Sequence, residues 1–171
     1  MRIYDGSPRQ DWEEVLRAVG AFADREHLKE LLFLELESGF VLQGLAPPEA
    51  STWSESAQLA KRTYELLDEQ VAQLIDDAAA HRGQATEPHP HVDIANYYEQ
   101  ALRVLGGWID AQKARDVFFF EQEGSFVMRL LVASPTAIGH HLAEFTKEEI
   151  VAMIDAAPQQ RQPAPQAGAK T

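Results

Sequence analysis

The chain has 171 residues, 45% of them hydrophobic and 25% charged, a composition that closes one ordinary core or two small ones and excludes a wholly unfolded chain. Acidic residues outnumber basic ones 27 to 15, for a net charge of -12, and a field of that sign disfavours phosphate backbones and anionic lipid. Cysteine is absent, which removes disulfides, thiolate nucleophiles and cysteine-based zinc sites. No apolar run approaches the ~18 residues of a membrane span, and residues 1–6 do not open as a signal peptide; the expectation is a soluble, cytoplasmic protein.

In chain order, Ser7 is a candidate N-cap, with Pro8 at the first helical position and Gln10 at capping-box spacing. Trp12, Val15, Leu16, Val19, Phe22 and Ala23 then recur at helical spacing. Residues 31–37 form a short apolar run that reads as a strand, Ser38-Gly39 supplies a turn, and 40–46 return as a second strand. A Pro- and Ser-rich loop carrying Trp53 follows. Residues 61–66 read as a third strand, although 59–68 also suit the start of a longer helix. Val71, Leu74, Ile75 and Ala78 mark the helix beyond. Residues 84–92 are a polar linker with two prolines.

The same order then returns. Asp93 is the candidate cap, and Tyr98, Ala101, Leu102, Leu105, Trp108 and Ile109 form the helical stripe. Strands are expected at 117–123, 126–132 and 140–145, with a turn at Gly124-Ser125. Thr146 and Glu149 make a capping box ahead of a stripe of Ile150, Met153, Ile154 and Ala157. The tail, 158–171, has no aromatic or large aliphatic residue and is expected to be disordered.

The halves read alike because they align. Residues 12–45 lie over 98–131 without a gap, with identities at Glu13/Glu99, Leu16/Leu102, Arg17/Arg103, Gly20/Gly106, Asp24/Asp110, Phe33/Phe119, Glu35/Glu121, Glu37/Glu123, Phe40/Phe126 and Val41/Val127. Farther on, 64–78 lie over 143–157, matching Glu65 to Glu144 and Ile75 to Ile154. The expected fold is α+β, a tandem duplication of an α-β-β-β-α unit forming a pseudo-two-fold dimer within one chain, with repeats at 1–83 and 93–157. The two three-stranded sheets are free to join into one.

Two duplicated stripes are candidate sites. On the opening helices, Arg17, Gly20 and Asp24 recur as Arg103, Gly106 and Asp110. A mid-helix glycine costs about 1 kcal/mol relative to Ala and marks a close approach. The stripe is therefore either a helix–helix contact with paired charges or a groove where the arginines clamp an anion. On the strands, alternation groups Leu32, Leu34, Leu36, Phe118 and Phe120 as the expected core side. Phe33, Glu35, Glu37, Phe119, Glu121 and Glu123 then face outward, joined by Glu65 and Glu144, as an acidic, aromatic-centred face suited to a basic or amphipathic protein segment. Trp53 is the candidate anchor beside it.

Catalytic patterns are missing: no GxSxG, HExxH, Walker or GxGxxG motif occurs, and no cofactor is expected. The duplicated carboxylates suit symmetric surfaces better than one acid–base pair. His81, His89, His91 and Asp93 have metal-binding side chains but sit around a Pro-rich linker, and no metal is expected. His140 and His141, adjacent on a strand, face opposite sides.

The α-β-β-β-α order, the small size and the 118–131 hairpin (FFFEQEGSFVMRLL) resemble the YbjN and type III secretion-chaperone-like group. That resemblance implies a compact binding module, two-fold assembly and no catalysis. The double-stranded-RNA-binding domain shares the element order but needs basic loops that this acidic chain lacks. The expected function is a non-catalytic, chaperone-like or regulatory adaptor, monomeric or homodimeric. The rival is a small-molecule or enzymatic site between the repeats, near Arg17 and Arg103; a third, weaker reading has the acidic surface mimic nucleic acid.

Overall fold

The computed structural model describes residues 11–47, 59–82, 88–89 and 92–157. The element order is α1 (Trp12–Arg25), β1 (Lys29–Leu36), β2 (Gly39–Ala46), β3 (Ala60–Leu67), α2 (Asp68–Ala80), α3 (Tyr97–Gln112), β4 (Arg115–Gln122), β5 (Ser125–Ala133), β6 (Ile138–Phe145) and α4 (Lys147–Ala156). The chain is α+β. Its strands form one six-stranded antiparallel sheet in the order β3-β2-β1-β4-β5-β6. Both third strands are strands; the longer-helix alternative for 59–68 does not form, because 60–67 pair along the whole of β2.

The two hairpin sets meet where β1 pairs β4, at Leu32↔Phe120, Phe33↔Phe119 and Leu34↔Phe118. All the helices described lie over one face of the sheet. Their apolar stripes, with Trp12, Leu16 and Val19 from α1 and Leu102, Leu105 and Ile109 from α3, join Leu31, Phe33, Phe40, Leu42, Phe119, Phe126 and Met128 in one core. Phe33 and Phe119 stack with ring centroids 4.9 Å apart at its middle. Each ring buries a large apolar area, and the stacked pair adds about 1 kcal/mol beyond that area.

The starts of the long helices differ from the sequence expectation. Ser7, Pro8 and Gln10 lie outside the described residues; α1 begins at Trp12, and Asp11 caps it by accepting from Glu14 N at 2.8 Å. Asp93 is not the cap of α3. That helix begins at Tyr97 after Asn96, whose backbone is left-handed and whose side chain makes no cap bond. The first N–H groups of each helix instead find a carboxylate from the far end of the other. Asp110 accepts from Trp12 N (2.9 Å) and Glu13 N (3.0 Å), and Asp24 accepts from Tyr98 N (3.1 Å) and Glu99 N (2.9 Å). This reciprocal capping sets α1 and α3 antiparallel, and each cap satisfies orphan donors at the opposite helix start.

The glycines explain how the helices come so close. A Cβ on Gly20 would strike the carbonyl of Tyr98 and lie 2.8 Å from Glu99 Cα; one on Gly106 would strike the carbonyl of Trp12 and lie 2.8 Å from Glu13 Cα. The glycine stripes do not meet each other; each receives the first turn of the opposite helix. Replacing Gly106 with Ala ought to improve intrinsic helix propensity by about 1 kcal/mol. The backbone clash outweighs that gain, so Gly106→Ala is expected to lower stability by about 2 kcal/mol or more, read as a fall in the urea midpoint.

Candidate functional site

The helix seam holds every residue of the first predicted stripe. Arg17 is buried, its Nε donating to Glu99 Oε1 at 3.0 Å. Arg103 is fully buried; its Nε donates to Gln100 Oε1 (3.1 Å), its Nη2 reaches the Ala157 carbonyl (3.4 Å), and its Nη1 lies 3.8 Å from Glu13 Oε1. These guanidiniums are engaged by the protein's own acceptors. With Gly20 and Gly106 against backbone, the seam is filled at the points where an anion groove was the alternative. Arg82 ties α1 to the end of α2 through an ion pair with Glu14.

The sheet corrects the face assignment. Phe33 and Phe119 are buried beneath the helices, whereas Leu32, Leu34, Leu36, Phe118 and Phe120 are only half-buried on the other side. Alternation correctly separates the two sets but does not say which set is inside, because both are apolar. Glu35 and Glu121 follow Phe33 and Phe119 inward. Backbone bulges explain how they are accommodated. At Glu30 (φ 51°) and Asp116 (φ 52°) the register slips, freeing an N–H on the residue after each. Glu35 accepts from Val117 N at 2.9 Å, and Glu121 accepts from Leu31 N at 3.4 Å and from the Tyr98 hydroxyl at 3.0 Å. These carboxylates stitch β1 to β4; they do not form an outward acidic face.

The remaining members of that proposed face scatter. Glu37 and Glu123 are exposed in the hairpin turns, which fall at 37–38 and 123–124, one residue earlier than expected. Glu65 pairs with Val41 and Glu144 with Val127, so both lie on the helix-free side, opposite Phe33. Trp53 lies outside the described residues. His91 does too; His81 Nδ1 is 2.7 Å from the Asp77 carbonyl oxygen, and His89 packs against Tyr97 and Tyr98 with ring centroids 5.3 Å away in each case. His141 packs on Trp108 on the helix side, and His140 is on the other. Among the described residues there is no group of three His, Asp or Glu able to hold a metal ion.

What the sequence reading missed is the helix-free face itself. Cross-strand partners share a face, so the register assembles Val41 and Leu45 from β2, Leu32, Leu34 and Leu36 from β1, Phe118 and Phe120 from β4, and Val127 and Leu131 from β5. None of these belongs to the helix-covered core. At the β6 edge Ile138 and Leu142 continue the surface, 63% and 72% exposed, and Leu67 (46%) ends it at β3. Apolar patches of this extent are uncommon on the free surface of a monomer and mark interaction sites. The signal was present in β1 and β4: runs such as LLFLEL and VFFF within RDVFFFEQ are apolar at both parities, whereas a sheet wetted on one side alternates with polar residues.

No protein-family model matches the chain, and neither a curated protein nor a solved structure does. No described helix is long and apolar enough to cross a membrane.

Burial raises the pKa of the inward carboxylates. Asp24 is pushed from 3.8 to about 7 by desolvation, against the pull of the Glu99 and Tyr98 N–H groups and with the Glu99 charge adding to the rise. Desolvation likewise takes Glu121 from 4.5 to about 7, although the Tyr98 hydroxyl and the Leu31 N–H favour its charged form. Desolvation also raises Glu35, and it holds the Tyr98 hydroxyl well above its usual value. Between the unfolded and folded values the native state holds more protons than the unfolded chain. The stability contribution is complete below about pH 4 and is lost as pH rises to about 7. Asn at position 24 stays neutral throughout, so the urea-midpoint gap between wild type and Asp24→Asn is expected to narrow as pH rises from about 5 to about 8; a gap independent of pH would contradict the burial of this charge.

Proposed function

We propose that the chain is a tandem duplication of an α-β-β-β-α unit, folded as a pseudo-two-fold dimer, and that it works as a non-catalytic protein-binding module. Corresponding contacts support the duplication: Asp24 and Asp110 cap opposite helices, Gly20 and Gly106 receive opposite first turns, and Glu35 and Glu121 close opposite bulges. Each unit repeats the element order that underlies the resemblance to YbjN and type III secretion-chaperone-like proteins, and an adaptor or chaperone-like role is the reading we adopt.

The observation that carries the binding role is the helix-free sheet face centred on Leu32, Leu34, Phe118 and Phe120. It replaces the acidic face expected from the sequence as the binding surface. A non-catalytic role fits the use made of the polar groups: the duplicated glutamates serve backbone N–H groups, and the duplicated arginines serve internal acceptors.

The test is affinity capture with Leu34→Asp plus Phe120→Asp. Both positions are partly exposed and lie outside the helix-covered core, so the variant is expected to keep the wild-type circular dichroism while losing, at least about tenfold, the proteins that wild type retains. Undiminished capture by the folded variant would remove this face as the binding surface.

A further inference from the structure

We propose that the helix-free sheet face takes a partner segment whose apolar side chains are accompanied by Asp and Glu; this deepens, and rests on, the protein-binding reading above. The argument is charge. The chain as a whole carries -12, yet at the cross-strand paired positions of this face four cations stand against two carboxylates, with Glu30 and Asp116 exposed at the bulges beside Lys29 and Arg115. Lys29 and Lys61 flank Leu45 in one cross-strand row. Arg115 pairs with Leu131, and Arg129 with Leu142. The opposing carboxylates, Glu65 and Glu144, stand on the two outermost strands. Lys61, Arg115 and Arg129 are exposed, and the Arg129 guanidinium lies over the Phe118 ring, 5.5 Å from its centroid. Arg129 therefore sets positive charge within the apolar surface, while Lys29, Lys61 and Arg115 stand at its rim.

A basic segment seated on Leu34 and Phe118 would bring its cations against Arg115 and Arg129 while excluding the water that screens them. An acidic one would find partners at those positions, with the arginine also able to present its fork to a carboxylate. This reverses the partner charge expected from the sequence. A second copy docking face to face would oppose the same cations. An anionic membrane would meet a favourable face but an unfavourable overall charge.

The test uses two fluorescein-labelled synthetic peptides of about twelve residues, enough to cross the strands of this sheet, one alternating Leu with Glu and the other Leu with Lys. With the full chain, the Leu/Glu peptide is expected to bind saturably, at least about tenfold tighter than the Leu/Lys peptide, and to weaken as salt rises from about 0.05 M to about 0.5 M. Arg115→Glu plus Arg129→Glu, at exposed positions, is expected to reverse the preference. Equal binding of both peptides, tighter binding of Leu/Lys, binding of neither, or a preference unchanged in the double variant would each overturn the proposal. So would sedimentation as a dimer that Leu34→Asp dissociates, or binding to phosphatidylserine vesicles in preference to the Leu/Glu peptide. Should capture of proteins depend on Leu34 and Phe120 while the peptides show no charge preference, the binding face stands and the acidic partner falls. Capture indifferent to Leu34 and Phe120 removes the face itself.

Discussion

The architecture depends on the backbone contact between α1 and α3. Two helices carrying ordinary side chains at Gly20 and Gly106 could not approach so far that the first turn of one rests on the middle of the other. With the glycines in place, the Asp24 and Asp110 carboxylates come within reach of the opposite helix starts. Arg17 and Glu99 are likewise buried together, where either alone would be a costly uncompensated charge. Steric absence, capping and ion pairing are thus consequences of one another, and the sheet below inherits its arrangement from them.

The central strand pair is built on a similar exchange. The bulges in β1 and β4 leave N–H groups without ladder partners, and the inward glutamates accept from them. A glutamate under a helix layer is expensive on desolvation grounds, yet an orphan amide in the same place is expensive too. Joining the two makes both tolerable. It also makes the β1–β4 junction a specific fit, since the freed amide needs an acceptor oxygen at that reach and parity.

Much of the fold was legible in the sequence: the four helices by period, α4 also by its Thr146–Glu149 capping box, the strands by short apolar runs and turn residues, and the importance of Arg17, Gly20 and Asp24 by their recurrence. The face assignment was not. Leu32 and Phe33 offer two apolar parities, and the glutamates sharing a parity with Phe33 and Phe119 argued for water. The competing fact was the bulge, a backbone irregularity produced by left-handed Glu30 and Asp116, of which Glu30 is not a residue type that favours that conformation. Asp93 misled for a related reason: a good local N-cap loses to a carboxylate delivered from another helix, and single-segment rules do not see tertiary partners. The candidate surface, in turn, is an emergent property of register. Lys29, Lys61, Arg115 and Arg129 are far apart in sequence, and only cross-strand pairing brings them onto one face of an otherwise acidic chain.

The reciprocal caps also bear on how such a chain is made. Trp12 relies for its backbone partner on a residue 98 positions downstream, so α1 has no finished N-terminus while the first part of the polypeptide emerges from a ribosome. Closing so long a loop precedes any reward from the contact. The Asp110 bonds to Trp12 and Glu13 form only once α3 has been made, so the helix pair is completed late even though Asp11 caps α1 locally.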